Sequence, residues 1–150
     1  MPAIQHIICA TDFSDASRPA IEAAVQFAAR FRAKLNLVHV LHAPAYAGWD
    51  DGPATAAVHS AFLDDLRKAA EEGLAEARKL ASAVTDEPVE LETNLVEGVP
   101  HQVLAEMSHE ADLLVLGTHG RTGLQHLLIG SVAERTVRLS ECPVLTIRPS

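Results

Sequence analysis

The sequence predicts an α/β fold, a single domain over residues 1–150 built on an open five-stranded, mostly parallel sheet with helices on both faces. Three observations predict it. Short apolar runs alternate strictly with longer segments of helical period, in the order β-α-β-α-β-α-β-loop-α-β, and that alternation is the signature of parallel strands joined by crossover helices. Aromatic residues are scarce at 4% while Ala, Val and Leu are abundant, which suits close packing of helices on a sheet. The length of 150 residues allows one domain with one sizeable core.

Taken in order, residues 4 to 11 (IQHIICAT) read as a buried strand ended by Asp12. Residues 17 to 32 set Ile21, Ala24, Val25 and Ala28 at i, i+3, i+4 and i+7, an amphipathic helix that Ser14 or Ser17 can cap, with Pro19 in its first turn. Residues 34 to 41 (KLNLVHVL) form the second strand. The Pro- and Gly-bearing segment 42 to 54 is irregular and leads into a long helix, 55 to 83, stopped before Asp86 and Pro88. Val89 to Val96 is the third strand, and Gly98 and Pro100 introduce a shorter helix over 100 to 109. Asp112 to Leu116 is the clearest buried strand; a loop, a helix over 131 to 139 and a last strand from Pro143 to Ile147 complete the chain. In open sheets of this kind ligands bind beyond the carboxyl ends of the strands, where the strand order reverses. That rule singles out Thr11-Asp12, Val40-Leu41-His42 and Gly117 onward.

Composition excludes several classes. The formal net charge is −8, and no cluster of Lys and Arg supplies the basic face of a nucleic-acid binder. Any site for an anionic ligand must create its own positive field from helix ends, one or two Arg residues or a metal ion. Cys9 and Cys142 form no CxxC pair, and Cys9 sits in an apolar run as a small hydrophobe. No basic-then-apolar leader opens the chain and no stretch nears 18 apolar residues, so the expectation is a cytoplasmic protein with no membrane segment.

The most informative segment runs from Gly117 to Ser131. It follows a strand, precedes a helix and reads Gly-x2-Gly-x9-Gly-Ser at Gly117, Gly120, Gly130 and Ser131, a spacing whose chance occurrence is rarer than about one in a hundred. Gly117 allows a ligand or backbone to approach the strand end, and Gly120 and Gly123 allow positive φ. Gly130 precedes a helix whose first N–H groups lack intrahelical acceptors, an anion site in outline. Ser131 opens a Ser-x-x-Glu capping box with Glu134, so its hydroxyl serves either its own helix or a ligand. Neither G-x-x-x-x-G-K-[ST] nor G-x-G-x-x-G occurs, and no catalytic Lys is supplied.

Other residues carry two readings. Asp12 caps the next helix, or accepts the two hydroxyls of a ribose, or meets Mg²⁺; the nearby glycine loop favours the ribose. Arg121 is a solvated loop charge or, the reading preferred in an acidic protein, a phosphate partner. His39-x2-His42 does not make a metal clamp, because residues three apart on a strand face opposite sides, and His39 is read as a packed core residue. Tyr46 and Trp49 either cover the site or pack on the following helix.

Taken together, Ala10-Thr11-Asp12-Phe13-Ser14, Leu37-Val38-His39-Val40, Glu97-Gly98-Val99-Pro100, Asp112 to Arg121, Gly130-Ser131-Val132-Ala133-Glu134 and Cys142-Pro143-Val144-Leu145 resemble the universal stress protein family, specifically its ATP-binding branch, over essentially the whole chain. Ala10 departs from the Pro that many ATP-binding relatives carry. The resemblance implies a Rossmann-like fold of the adenine nucleotide alpha hydrolase-like type, with ATP, accompanied by Mg²⁺, at the switch point between the first and fourth strands. It maps adenine contacts onto Ala10, Thr11 and Val40, the ribose contact onto Asp12, and phosphate contacts onto Gly117, His119, Gly120, Arg121, Gly130, Ser131 and Val132. It also implies a homodimer through the last strand, Val144 to Ile147. The resulting expectation is an ATP-binding regulatory protein of the stress response rather than an enzyme; the alternatives are a slow ATPase using His119 and a nucleotide-free dimeric interaction module.

Overall fold

The computed structural model describes residues 3–43, 52–119 and 129–149. Five strands, β1 (His6–Ala10), β2 (Lys34–Leu41), β3 (Leu91–Glu97), β4 (Leu113–Gly117) and β5 (Val144–Ile147), form one sheet in the order β3-β2-β1-β4-β5. Every strand pair is parallel. Four helices connect them: α1 (Arg18–Phe31), α2 (Pro53–Ser82), α3 (Pro100–Met107) and α4 (Ser131–Leu139), with short 3-10 turns at Asp15–Ser17 and Ser108–Glu110. The expected α/β architecture is therefore the observed one.

Strand alternation explains the two cores. Ile7 and Cys9 of β1, Leu35 and Leu37 of β2, and Leu113 and Val115 of β4 face α1 and α2, where Ala20, Ala24 and Ala28 allow close approach. Ile8, Val38, Val40, Leu114 and Leu116 face the other way, onto Leu104 of α3 and Ala133 of α4. The central strands are thus apolar on both faces, as parallel strands covered by helices must be.

Strand ends are shorter than their apolar runs. β1 begins at His6 rather than residue 4, and β3 at Leu91 rather than Val89. A side chain ties the entry to β1: Asp112 Oδ2 accepts from the backbone N–H groups of Gln5 (2.8 Å) and His6 (2.9 Å). Those two donors hold the Asp112 carboxyl below the usual carboxylate range. Burial pushes the fully enclosed Cys9 thiol up to about 12. At the far end of the sheet, Arg67 of α2 pairs with Glu97 at the end of β3, which lowers the Glu97 carboxyl and raises the guanidinium.

The first crossover leaves β1 toward β2 and the crossover after β4 leaves in the opposite direction, toward β5. The carboxyl ends of β1 and β4 therefore border a crevice between diverging connections, the switch point of an open α/β sheet.

A candidate ligand cavity at the switch point

A cavity of about 320 Å³ opens at that crevice. Its floor is apolar, made by Ala10 of β1, Val40 of β2, Leu116 of β4, Pro100 and Leu104 of α3 and Ala133 of α4. Its polar wall comes from Thr11, Asp12 and Ser17 after β1, from Thr118 and His119 after β4, and from Ser131 at the start of α4.

Of the residues singled out in the sequence, Ala10, Thr11, Asp12, Val40, Gly117, His119, Gly130, Ser131 and Val132 all line this one cavity. Gly120, Arg121, Gly123, Tyr46 and Trp49 lie outside the described residues. Ser17, His39, Pro100, Leu104, Leu116, Thr118 and Ala133 line it as well, although the sequence reading assigned none of them a ligand contact. His39, Leu116, Thr118 and Ala133 neighbour assigned residues in the sequence, a signal that could have placed them there, whereas Leu104 gave none.

The turn after β1 is held by a chain of side-chain bonds. Asp12 Oδ1 accepts from the Ser14 N–H at 3.0 Å and from the Ser14 hydroxyl. Asp12 therefore closes a local turn and does not cap α1. Ser14 caps the 3-10 turn instead, accepting from the Ser17 N–H at 3.2 Å. Thr11 Oγ1 lies 3.0 Å from Ser17 Oγ, and the Phe13 N–H donates to Thr11 Oγ1 at 3.1 Å. Pro19 occupies the first turn of α1, as its missing N–H allows. His39 is half-buried, with Nδ1 2.8 Å from the Thr11 carbonyl oxygen and its ring stacked on Phe13. It is thus a locally partnered side chain, as read, but it also faces the cavity. Nδ1 of His42, beyond the end of β2, lies 3.2 Å from the Gly98 carbonyl. Among the described residues, no three His, Cys, Asp or Glu side chains converge as metal ligands.

Of the two approaches that Gly117 allows, ligand or backbone, the structure shows the backbone, and Gly130 stands just before α4 as read. A Cβ at Gly117 would lie 3.3 Å from the Ala16 carbonyl oxygen and 3.4 Å from that of His119, so its neighbours are the chain's own backbone. Gly130 has φ −72°, an ordinary value; what requires glycine is the Thr118 carbonyl oxygen, 2.9 Å from where a Cβ would stand. The Gly130 N–H donates to that oxygen, and the Thr118 N–H donates to Ile147 of β5 at 2.9 Å. α4 is thereby anchored to the strand-end backbone.

The Ser131 capping box is not formed. Gly130 is the N-cap of α4, Ser131 is its first residue, and among the described residues no side chain caps the N-terminus of this helix. As the first residue of α4, Ser131 sits in the first turn, exposed at the cavity mouth. The electrostatics follow from this geometry. Asp12 is the one carboxylate among the described lining residues and no Lys or Arg joins it, so the positive potential there comes from the first-turn N–H groups of α4. The pattern is an apolar slot with an anion-attracting rim, suited to a flat ring system carrying a negatively charged group.

Comparison with known proteins agrees along the full chain. The profile of the universal stress protein family matches residues 3–148. Universal stress protein MJ0531 of Methanocaldococcus jannaschii is 34% identical over 144 residues, covering 95% of this chain and 81% of that protein. Universal stress protein A homolog 1 of Coxiella burnetii is 35% identical, covering 95% of each. Among solved structures, the universal stress protein UspA from Lactobacillus plantarum superposes with a TM-score of 0.82 at 28% identity, over 99% of this chain and 100% of that one. A universal stress protein solved in complex with cAMP gives a TM-score of 0.69 at 30% identity, with coverage of 99% and 100%. The fold, the placement of Gly117, Gly130 and Ser131 and these matches agree: the chain belongs to the universal stress protein family.

Proposed function

We propose that the protein is an adenine-nucleotide-binding regulatory protein that holds ATP in the switch-point cavity. The observation that carries this reading is the convergence of the β1 end, the β4 end and the start of α4 on one slot with an apolar floor and a helix N-terminus at its rim. The related protein in complex with cAMP supports an adenine nucleotide as the ligand class. In this reading Ala10, Thr11 and Val40 contact the base, Asp12 the ribose, and Gly117, His119, Gly130, Ser131 and Val132 the phosphates, with Gly120 and Arg121 completing the phosphate side.

The described residues fit such a ligand. The floor of Ala10, Val40, Leu104 and Leu116 matches a planar base. Ser131 and the N–H groups beside it match a phosphate. For Mg²⁺ the described wall offers one carboxylate, Asp12, whose Oδ1 already accepts from Ser14. A bound Mg²⁺ would take its remaining ligands from phosphate oxygens and water, as this ion usually does, and would neutralise phosphate charge.

The role is binding rather than turnover. Hydrolysis needs an oriented water and stabilisation of the transferring phosphoryl group. His119 Nδ1 lies 2.9 Å from Thr118 Oγ1, and that contact orients its ring along the chain's own turn. Signalling in this reading is through assembly. Among the described residues β5 is a sheet edge whose one strand neighbour is β4, with Val144 to Ile147 half-buried, and an apolar edge needs a partner. A second copy added along β5 gives a homodimer; light scattering at micromolar concentration tests it, and a monomer refutes it. Mass spectrometry of the natively purified protein tests the nucleotide: a co-purifying adenine nucleotide is the expected result. Absence of one, together with no calorimetric binding of ATP in the presence of Mg²⁺, refutes the proposal.

A further inference from the structure

We propose that Phe13 is a positioning residue for the switch-point cavity, and that helix α2 sets the geometry of the Thr11–Ser14 turn through it. Its binding readout rests on the adenine-nucleotide reading above; its structural readout does not.

Two locally unfavourable choices meet at one contact. Phe13 has φ 66°, in the left-handed region that a side chain with a Cβ disfavours. Gly73 lies inside the 30-residue helix α2, where alanine is the better helix former. A Cβ at Gly73 would stand 2.7 Å from two carbons of the Phe13 ring, so only glycine lets the helix lie against it. The ring also stacks on His39, with centroids 4.2 Å apart at 28°. Phe13 is thus clamped between a helix on one side and a cavity-lining strand residue on the other.

The clamp reaches the cavity through short bonds. The Phe13 N–H donates to Thr11 Oγ1 at 3.1 Å, and the Thr11 carbonyl oxygen is 2.8 Å from His39 Nδ1. Thr11, Asp12 and His39 all line the cavity. Displacing the ring therefore moves the backbone on both sides of Asp12. The first fully buried residue of α2 is Ala70, near Gly73, and the Phe13 contact joins this part of the helix to the turn that lines the site.

The test uses Gly73→Ala, Phe13→Gly and the double variant, since glycine at 13 accepts φ 66° and removes the ring. In the nucleotide-free protein, Gly73→Ala is expected to shift the backbone amide resonances of Thr11, Asp12 and Ser14 and the ring resonances of His39. With ATP as the probe, it is expected to raise Kd about 5- to 10-fold when Phe13 is present and less than about 2-fold when residue 13 is glycine, the non-additivity of coupled neighbours. A purely structural role would lower the melting temperature and leave Kd unchanged. Unchanged amide resonances in Gly73→Ala, or an equal effect on Kd in both backgrounds, overturns the proposal. Should Gly73→Ala not fold, Phe13→Gly decides: a Kd raised to the same extent supports the coupling and an unchanged Kd overturns it. Should the wild-type chain bind no adenine nucleotide, the function proposed above falls, and the amide resonances alone decide whether α2 positions the turn.

Discussion

Substituting Gly130 with alanine tests the anchoring of α4 quantitatively. The new Cβ would lie 2.9 Å from the Thr118 carbonyl oxygen, about half an ångström inside ordinary contact, and that oxygen is fixed because its residue's N–H bonds to Ile147. The start of α4 must therefore move outward, stretching the Gly130-to-Thr118 hydrogen bond. Losing that bond costs about 1 kcal/mol, and replacing an N-cap glycine by alanine costs roughly 0.5 kcal/mol more. For a domain of this size the sum corresponds to a fall in melting temperature of about 3 to 6 °C. The same displacement carries the first-turn N–H groups away from a bound phosphate. Charge-assisted bonds of this type contribute about 2 kcal/mol, so ATP affinity should fall about 30-fold. Thermal unfolding followed by circular dichroism and calorimetric titration measure the two effects. A melting temperature within about 1 °C of wild type together with an unchanged Kd would refute the claim that this close approach shapes the site.

Three further residues carry predictions. Ser131→Ala should leave the melting temperature unchanged, because Ser131 does not cap α4, while weakening ATP binding by about 1 kcal/mol if its hydroxyl meets phosphate; a destabilised but fully binding variant would restore the capping reading. Asp112→Asn should cost about 1 kcal/mol at neutral pH, an estimate reduced for solvent exposure, measured by urea unfolding. Because the folded carboxyl titrates below its unfolded value, this contribution is present above about pH 4 and lost as pH falls through the depressed folded value, so the variant's stability should depend less on pH in that acid range; an equal dependence contradicts the two-donor cradle. The Cys9 thiol, buried and pushed up to about 12, should resist iodoacetamide at pH 8 in the folded protein and react only on unfolding; rapid native labelling of Cys9 would contradict its burial.

The element order, the parallel sheet and the location of the crevice were legible because hydrophobic period reports directly on helix and strand. Residues 34 to 41 read as a strand and 131 to 139 as a helix, and both boundaries match the structure. What sequence could not convey is set by tertiary approach. Ser131 has every local mark of a cap, yet Gly130 takes that position because its N–H is drawn to Thr118, a residue placed by pairing with β5. Gly117 reads as room for a ligand or a backbone, and only the folded chain shows that the 3-10 turn before α1 comes against it. His39 reads as core because a strand residue's neighbours are unknown until the strands are ordered; the sheet order sets it against the turn after β1. Phe13 gave no signal at all, since nothing in its side chain announces a left-handed backbone. Gly73 was invisible for the converse reason: a glycine inside a helix pattern is explained only by what lies across from it.

The central claim is that the crevice between the ends of β1 and β4 holds an adenine nucleotide. Titrating ATP and Mg²⁺ into isotopically labelled protein while recording backbone amide resonances tests it at residue level. Saturable shifts concentrated at Thr11, Asp12, Val40, Gly117, Ser131 and Val132 are predicted. Resonances that do not move at millimolar ATP, or that move only at other surfaces, would contradict it.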